Sequence, residues 1–316
     1  MRILILGGTR FLGRRVAEAL IVAGHELILL SRRAGGLPTG GKQICAERGS
    51  GLAMLQGIHF DLVLDFICYD NECLDQLVTS IVMDRYVLIS STWLPRLWSG
   101  SRADELLCGS IPVAAHLPRQ TRNYLSGKLR AEQGLIKLRQ TSCKAVSLRL
   151  PIMLGNGDHT GRMDFYRRRL ADGGSLIVVD GGLNQAQIAV MEDLAQAIVR
   201  WSTETDIDLF PVWEALPDEG RSVRTIIESM AAAAGATPKL VDVPLDELSR
   251  DLPDYLKLEP FWRESALPIT VANIYSAVGM TPNVFGLSFS MALLSDDTVD
   301  ALRSKELTFL ANRYSA

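Results

Sequence analysis

The stretch Met1-Arg2-Ile3-Leu4-Ile5-Leu6-Gly7-Gly8-Thr9-Arg10-Phe11-Leu12-Gly13 decides the fold. An apolar run, Ile3–Leu6, stops at a glycine pair and helical periodicity starts at Phe11, so strand, tight turn and helix follow one another directly. Gly7 lets the chain leave the strand and Gly13 lets the helix pack closely on the sheet; a side chain at either place would collide with its surroundings. A turn of this kind aims the backbone N–H groups of the helix N-terminus at one point, where a pyrophosphate can be held. Arg10 stands where the middle glycine of the G-x-x-G-x-x-G pattern would sit, which leaves an ordinary strand-to-helix turn as the alternative for the fragment alone.

The residues that follow supply the context. Leu27–Leu30, Ile44–Cys45, Leu62–Ile67, Tyr86–Ile89 and Ala145–Leu150 read as further strands, and Phe11–Ala23, Leu74–Val82 and Tyr124–Leu138 as helices between them. Strands alternating with helices predict an α/β fold, a doubly wound parallel sheet of the Rossmann type. After Pro151 the pattern loosens into Gly/Asp/Asn-rich stretches and helix candidates at Met163–Leu170, Asp193–Trp201 and Val223–Ala234. Residues 1–150 are therefore expected to form a dinucleotide-binding domain and 151–316 a smaller α+β substrate lobe. Parts of 175–202, namely Leu176–Val179 and Asp193–Arg200, are expected to rejoin the first sheet.

Composition limits the functional classes. The 316 residues include 47% hydrophobic and 22% charged side chains, within the range of ordinary folded enzymes. A formal net charge of −3 gives no basic field for a phosphodiester backbone, so no nucleic-acid partner is expected. Five cysteines without a C-x-x-C pair argue against a disulfide framework or zinc ribbon and read as reduced thiols, mostly small core side chains. No His/Cys/Asp/Glu set has metal-ligand spacing, and His25 reads as a helix-end cap while His59 and His116 stand isolated. The first apolar run is too short for a signal-peptide core and no later run reaches the roughly 18 uncharged residues of a membrane span, so a cytoplasmic location is expected.

Two further stretches carry chemistry. At the end of the second strand, where a carboxylate would receive the NAD ribose, the chain reads Leu30-Ser31-Arg32-Arg33. Ser31 can donate to a 2′-phosphate and Arg32 or Arg33 can clamp it, with Arg10 as a third positive group, so NADP is preferred and NAD is the alternative. Arg32 and Arg33 as solvated loop charges is the competing view. In Tyr124-Leu125-Ser126-Gly127-Lys128 the phenol and the ammonium lie four apart on one helical face. A phenol of pKa near 10 becomes a proton relay at neutral pH only beside a cation, which Lys128 supplies; Lys128 can also hold the nicotinamide ribose. The fifth strand runs into Ser90-Ser91-Thr92, where Ser91 can orient a substrate oxygen while Tyr124 relays the proton and hydride passes to or from the nicotinamide.

These residues resemble the extended short-chain dehydrogenase/reductase family, also called the NAD-dependent epimerase/dehydratase family. The turn Gly7-Gly8-Thr9-Arg10-Phe11-Leu12-Gly13 is similar to the atypical GGTRFxG branch, which includes the chloroplast stem-loop-binding proteins. Further matches are Glu47-Arg48, similar to an acidic-Arg pair near the adenine; Phe60–Asp65; Ser90-Ser91; Tyr124 with Lys128; Leu148–Pro151; and Gly155-Asn156-Gly157-Asp158 through Gly161–Asp164. The resemblance implies Ser91 as the orienting hydroxyl with Thr92 second, the turn residues and Glu47/Arg48 at the cofactor, a small-molecule substrate, and a homodimer through paired helices. The family's usual tyrosine shortly after the serine is missing from the tract Trp93–Arg119. Trp93-Leu94 stands where the family's dehydratases carry Asp-Glu, which disfavours dehydration.

An NAD(P)-dependent oxidoreductase acting on a small carbonyl or hydroxyl compound is the leading expectation. A nucleotide-sugar epimerase with tightly held NAD is the second, and a non-catalytic cofactor-binding or RNA-associated protein the third. Arg167-Arg168-Arg169, with Arg162 nearby, could grip a substrate diphosphate or form an exposed helix face. Asp158 and His159, in the loop after the sixth strand, could serve as extra acid/base groups. Trp93, Trp98, Trp213, Phe261 and Trp262 could line a cleft or fill the core.

Overall fold

Short apolar runs bounded by glycine or aspartate fold here as parallel strands buried on both faces, as runs of that kind do under covering helices. The computed structural model describes residues 1–35, 39–94, 119–158, 160–217, 220–261, 272–282 and 297–315. In chain order the elements begin with β1 (Arg2–Leu6), α1 (Phe11–Val22), β2 (Glu26–Ser31), β3 (Lys42–Cys45), α2 (Arg48–Ala53), β4 (His59–Asp65), α3 (Asn71–Ser80), β5 (Val82–Ser91), α4 (Arg119–Leu138) and β6 (Lys144–Leu150). They continue with β7 (Ile152–Leu154), α5 (Arg162–Ala171), β8 (Ser175–Val179), β9 (Gln185–Ala186), β10 (Ile188–Val190), α6 (Met191–Glu204) and β11 (Val212–Glu214). Last come β12 (Arg221–Ser222), α7 (Val223–Ala233), β13 (Lys239–Val243), α8 (Leu245–Asp251), α9 (Pro253–Leu258), β14 (Ala272–Asn273), α10 (Ile274–Ala277) and α11 (Asp297–Ser315).

The first compact unit comprises 1–151, 191–216 and 269–282. Its eight strands run parallel in the order β14-β11-β6-β5-β4-β1-β2-β3. Strand order reverses between β1 and β4, the crevice where open α/β sheets take their ligands. Leu4, Leu6, Ile28 and Leu30 pack with Leu52, Leu74, Leu77, Ala131 and Leu135, so one face of the sheet lies under α2, α3 and α4. Alternation turns Ile3 and Ile5, both without solvent contact, to the opposite face. There α1, α6 and α10 form the second helical layer.

The second unit comprises 152–190, 217–268 and 283–316. It holds three two-stranded pairs, β7 with β10, β9 with β12 and β8 with β13, around a core that includes Phe165, Tyr166, Ile177, Met230 and Tyr255. Leu176–Val179 therefore does not rejoin the first sheet: it lies in β8, paired with β13. The chain first leaves the first unit after Pro151 and returns to it twice, once as Met191–Leu216 with α6 and β11 and once as residues 269–282 with β14 and α10. Strands β11 and β14 are short and carry little periodicity to announce those returns. Helix α2, directly after Glu47, and the early start of α3 at Asn71 also depart from the sequence pattern. The arginine run of α5 is spent on the core and not on an exposed face. Arg167 pairs with Asp164 at 2.8 Å, and Arg169, without solvent contact, pairs with Glu306 at 2.8 Å and stacks on the Phe165 ring.

A row of polar side chains crosses the first sheet one step inside its carboxyl edge. Ser90 on β5, Arg149 on β6 and Glu214 on β11 are neighbours in register. Arg149 donates through Nε and Nη2 to Glu132 of α4 at 3.0 and 2.7 Å, and Ser147 donates to the same carboxylate at 2.8 Å. Burial opposes the charge on Glu132, but the Arg149 guanidinium more than offsets it and holds the carboxyl below its usual range. Glu214 makes no such bond, and burial pushes it up to about 7.

Two outcomes follow for stability. Glu132→Ala strands a buried guanidinium and should lose about 3–5 kcal/mol in urea denaturation, whereas a loss under about 1 kcal/mol would show that α4 is not held by this pair. Below the ordinary value of 4.5 the folded and unfolded chains both hold the Glu214 proton, and between 4.5 and about 7 only the folded chain does. Stability should therefore fall as pH rises through that window, by about 3 kcal/mol, and Glu214→Gln should flatten this part of the curve. Identical pH–stability curves for the two proteins would contradict the assignment.

Candidate active site

Where β1 meets α1, Gly7 has φ +84°, a conformation that side chains avoid. Gly13 is required by proximity: a Cβ there would lie 2.3 Å from the Gly8 Cα, so the first turn of α1 sits directly on the glycine pair. The turn is tied to both neighbouring strands, since Gly7 N–H donates to Leu30 O and Phe66 N–H to Leu6 O, each at 2.9 Å. Arg10 occupies the N-cap position in extended conformation, with no capping side chain and no acidic residue in the first turn. Its own side chain is exposed, Thr9 and Phe11 are half-buried and Leu12 is buried. A cradle that a Cβ would fill, at a helix start without a negative charge, fits the pyrophosphate of a dinucleotide.

At the end of β2, Ser31 is buried and its hydroxyl is engaged: it donates to Arg33 O at 3.0 Å and accepts from Gln43 Nε2 at 2.8 Å. Gln43 also binds Arg33 O and the Gly35 N–H, stapling the loop. Arg32 and Arg33 are exposed. The Ser31 proton expected for a 2′-phosphate is thus given to the chain itself, and the charge at this end rests on the two arginines. Arg48 is engaged too. Its guanidinium makes two bonds to Asp65, at 3.1 and 2.7 Å, and a third to Cys73 O, so it closes the end of β4 instead of standing free for an adenine. Glu47 remains exposed at the start of α2.

Helix α4 carries Tyr124, Lys128 and Glu132 on one stripe. Lys128 is 2% exposed, and its ammonium donates to Ile89 O of β5 at 2.7 Å and to Cys68 O beyond β4 at 3.1 Å. Burial pushes it down to about 8, against the pull of Asp65. Tyr124 is 40% exposed. Ser91 is buried; its oxygen accepts the Trp93 N–H at 3.2 Å. Strand alternation puts Ser90 on the α4 side with Tyr86 and Leu88 and turns Ser91 to the other face, while Thr92 lies just past the end of β5. Thr92 Oγ1 donates to Leu150 O over a long 3.3 Å. Ser91 is thus at the expected strand end, and the Ser91 and Thr92 hydroxyls both engage the chain's own backbone.

Tyr69, in the loop after β4, is the residue that sequence reasoning missed. Its ring centroid lies 4.3 Å from the Lys128 ammonium and 6.0 Å from the Tyr124 ring, edge-on. The one signal for it in the sequence is its place at the carboxyl end of a central strand, where ligands of this fold bind. His59 is not isolated: it pairs with Asp84 at 2.9 Å beside Asp61, at the amino end of β4 and away from this site. Asp158 is buried and accepts from Thr160, while His159, His116, Trp98 and Trp262 lie outside the described residues, as do residues 95–118. Among the described residues no helix is long and apolar enough to cross a membrane.

No family model and no curated protein matches this sequence. Solved structures do match it. UDP-glucose 4-epimerase of Thermus thermophilus, in complex with NAD, is 18% identical over 96% of this chain and 99% of its own, with TM-score 0.58. UDP-glucuronic acid 4-epimerase of Bacillus cereus, in complex with NAD, is 15% identical over 95% and 96%, with TM-score 0.64. A short-chain dehydrogenase/reductase superfamily protein of Agrobacterium tumefaciens with bound NAD is 16% identical over 100% of both chains, with TM-score 0.60. At these identities the likeness establishes the fold along nearly the whole chain.

The close approach at the turn sets a stability test. Gly13→Ala should cost about 1–3 kcal/mol in denaturant titration by forcing α1 off the glycine pair. Gly49→Ala, whose Cβ would meet nothing nearer than 4.0 Å, should be neutral or slightly stabilising. Equal effects at the two positions would refute the contact.

Proposed function

We propose that this chain is an NAD(P)-dependent oxidoreductase of the short-chain dehydrogenase/reductase type, moving hydride to or from a small carbonyl or hydroxyl compound. The observation that carries this reading is the buried Lys128 ammonium, fixed to the carboxyl ends of the central strands on a helix that also bears Tyr124. The glycine turn at the strand-order reversal supports it, as does the fold shared with NAD-bound epimerases and a dehydrogenase/reductase.

A bound nicotinamide would supply the hydride acceptor or donor. Gly7, Gly8 and the first turn of α1 would hold the pyrophosphate, with Glu47 towards the adenine. Among the described residues Lys128 gives two ammonium protons to carbonyls, and the third would be available to the nicotinamide ribose. Its charge favours the ionised form of a nearby phenol, which lets Tyr124 give a proton to the substrate oxygen in reduction and take it in oxidation. The hydroxyl that orients the oxygen is assigned to Ser91, with Thr92 as its alternative. NADP is the cofactor favoured, through Arg32 and Arg33, and no carboxylate ends β2 to select NAD.

A second reading, epimerisation of a nucleotide sugar through a transient ketone, is favoured by the UDP-sugar epimerases among the similar structures. Release of NAD from freshly purified, denatured protein would select it; protein without cofactor that turns over NADPH in a carbonyl screen would select the reductase.

In that screen Tyr124→Phe should lower turnover about 10²–10⁴-fold while leaving NADH and NADPH binding in place, and retained turnover would refute the relay. Comparing Ser91→Ala with Thr92→Val identifies the orienting hydroxyl. Arg32→Ala should weaken NADPH more than NADH by fluorescence titration, and equal losses would remove the 2′-phosphate contact.

A further inference from the structure

A buried ammonium needs compensation, and around Lys128 the charged groups are already engaged elsewhere. Asp65, at the end of β4, is bound by Arg48, by the Tyr86 hydroxyl at 2.9 Å and by the Ile67 N–H at 3.0 Å. Glu132, one turn further along α4, belongs to Arg149. Cys68, on the β4–α3 connection, and Cys73, in the first turn of α3, contribute thiols, and Cys68 Sγ points to Asp70 O at 3.5 Å. From β5 the contact is the Ile89 carbonyl. Among the described residues, the remaining group against the ammonium is the face of Tyr69, 4.3 Å away at its centroid.

Tyr69 is held there from behind. A Cβ on Gly127 would come within 3.0 Å of Tyr69 O and 3.3 Å of its Cβ, so the absence of a side chain at Gly127 is what lets the residue lie against the Tyr124–Lys128 turn of α4. The same ring presents itself edge-on to Tyr124. One aromatic side chain thus touches both members of the candidate relay, and it comes from a different element than either.

We infer that Tyr69 is a positioning residue of the candidate active site: its ring face carries the Lys128 ammonium and its edge seats the Tyr124 ring, fixing the charge relative to the phenol. The inference rests on the reading of Tyr124 and Lys128 given above. A cation over an aromatic face is attracted by the ring quadrupole, and the attraction grows when water is excluded. Loss of the ring therefore makes the ammonium easier to deprotonate, whereas loss of the hydroxyl alone does not. In the intact protein burial already brings Lys128 down to about 8, so a further fall moves the transition towards neutral pH.

The test reads cofactor binding without turnover. NADH affinity is measured by fluorescence titration from about pH 6.5 to 9.5 for the wild type, Tyr69→Phe, Tyr69→Leu and Lys128→Ala. Wild type should bind NADH more weakly as pH passes about 8. Tyr69→Phe should follow the same curve, and Tyr69→Leu, which fills the space without a π face, should move its midpoint down by about one pH unit. Should the leucine variant not fold, Tyr69→Met takes its place. Unchanged midpoint in Tyr69→Leu overturns the inference, and so does an equal shift in Tyr69→Phe, since packing or the hydroxyl would then be responsible. A pH transition that survives in Lys128→Ala has another origin and refutes the role of Lys128 itself, a failure distinguishable from that of Tyr69.

Discussion

Helix α4 must present its Tyr124/Lys128 stripe at one height on the sheet, and the ion pair between Glu132 and Arg149 sets that height. Both side chains are without solvent contact, two hydrogen bonds join them, and Ser147 adds a third to the same carboxylate. A buried pair of this kind contributes little net free energy against an apolar substitute, but it permits one register only, because any slip of α4 along β6 leaves two charges uncompensated. Glu132 lies one turn beyond Lys128 and two beyond Tyr124. Fixing it against β6 places the ammonium beside the carbonyls of Ile89 and Cys68 without further adjustment. Gly134 supports the same placement, since a Cβ there would strike the Asn71 side chain of α3 at 2.4 Å.

The first half of the fold was legible because its signals are local. An apolar run that ends in Gly7-Gly8, and a phenol four residues before an ammonium, are patterns that the backbone's own periodicity turns into strand, turn and helical face. The second half was not, because β11 and β14 owe their strand state to their neighbours. Val212–Glu214 has only three residues, and it is the ladder to β6 that makes them a strand. Its last residue, Glu214, would be an unusual choice in a buried position without the Arg149 guanidinium alongside.

At the candidate site the sequence offers residue types and leaves their hydrogen-bond partners open. Ser31, Arg48 and Arg169 are residue types that bind anions, and sequence alone leaves their hydrogen bonds unassigned. In the folded chain Ser31 serves the loop that follows it, Arg48 the end of β4 and Arg169 a core carboxylate. Each is a case of buried donors finding partners within the chain, as burial requires. Tyr69 is the converse. An aromatic residue after a strand reads as core, but it is 39% exposed at the carboxyl edge, and only the absence of a side chain at Gly127 explains how it comes to lie against α4.

The electrostatics of the site then follow from what is absent around Lys128 as much as from what is present. Among the described residues no carboxylate makes an ion pair with it. A direct ion pair would hold the ammonium charged over a wider pH range, but it would also cancel much of its field. Two carbonyl dipoles and an aromatic face stabilise the cation more weakly and leave its charge uncancelled. The consequence is an ammonium that burial brings down to about 8, so the low polarity around Lys128 and its readiness to lose a proton are two expressions of one arrangement.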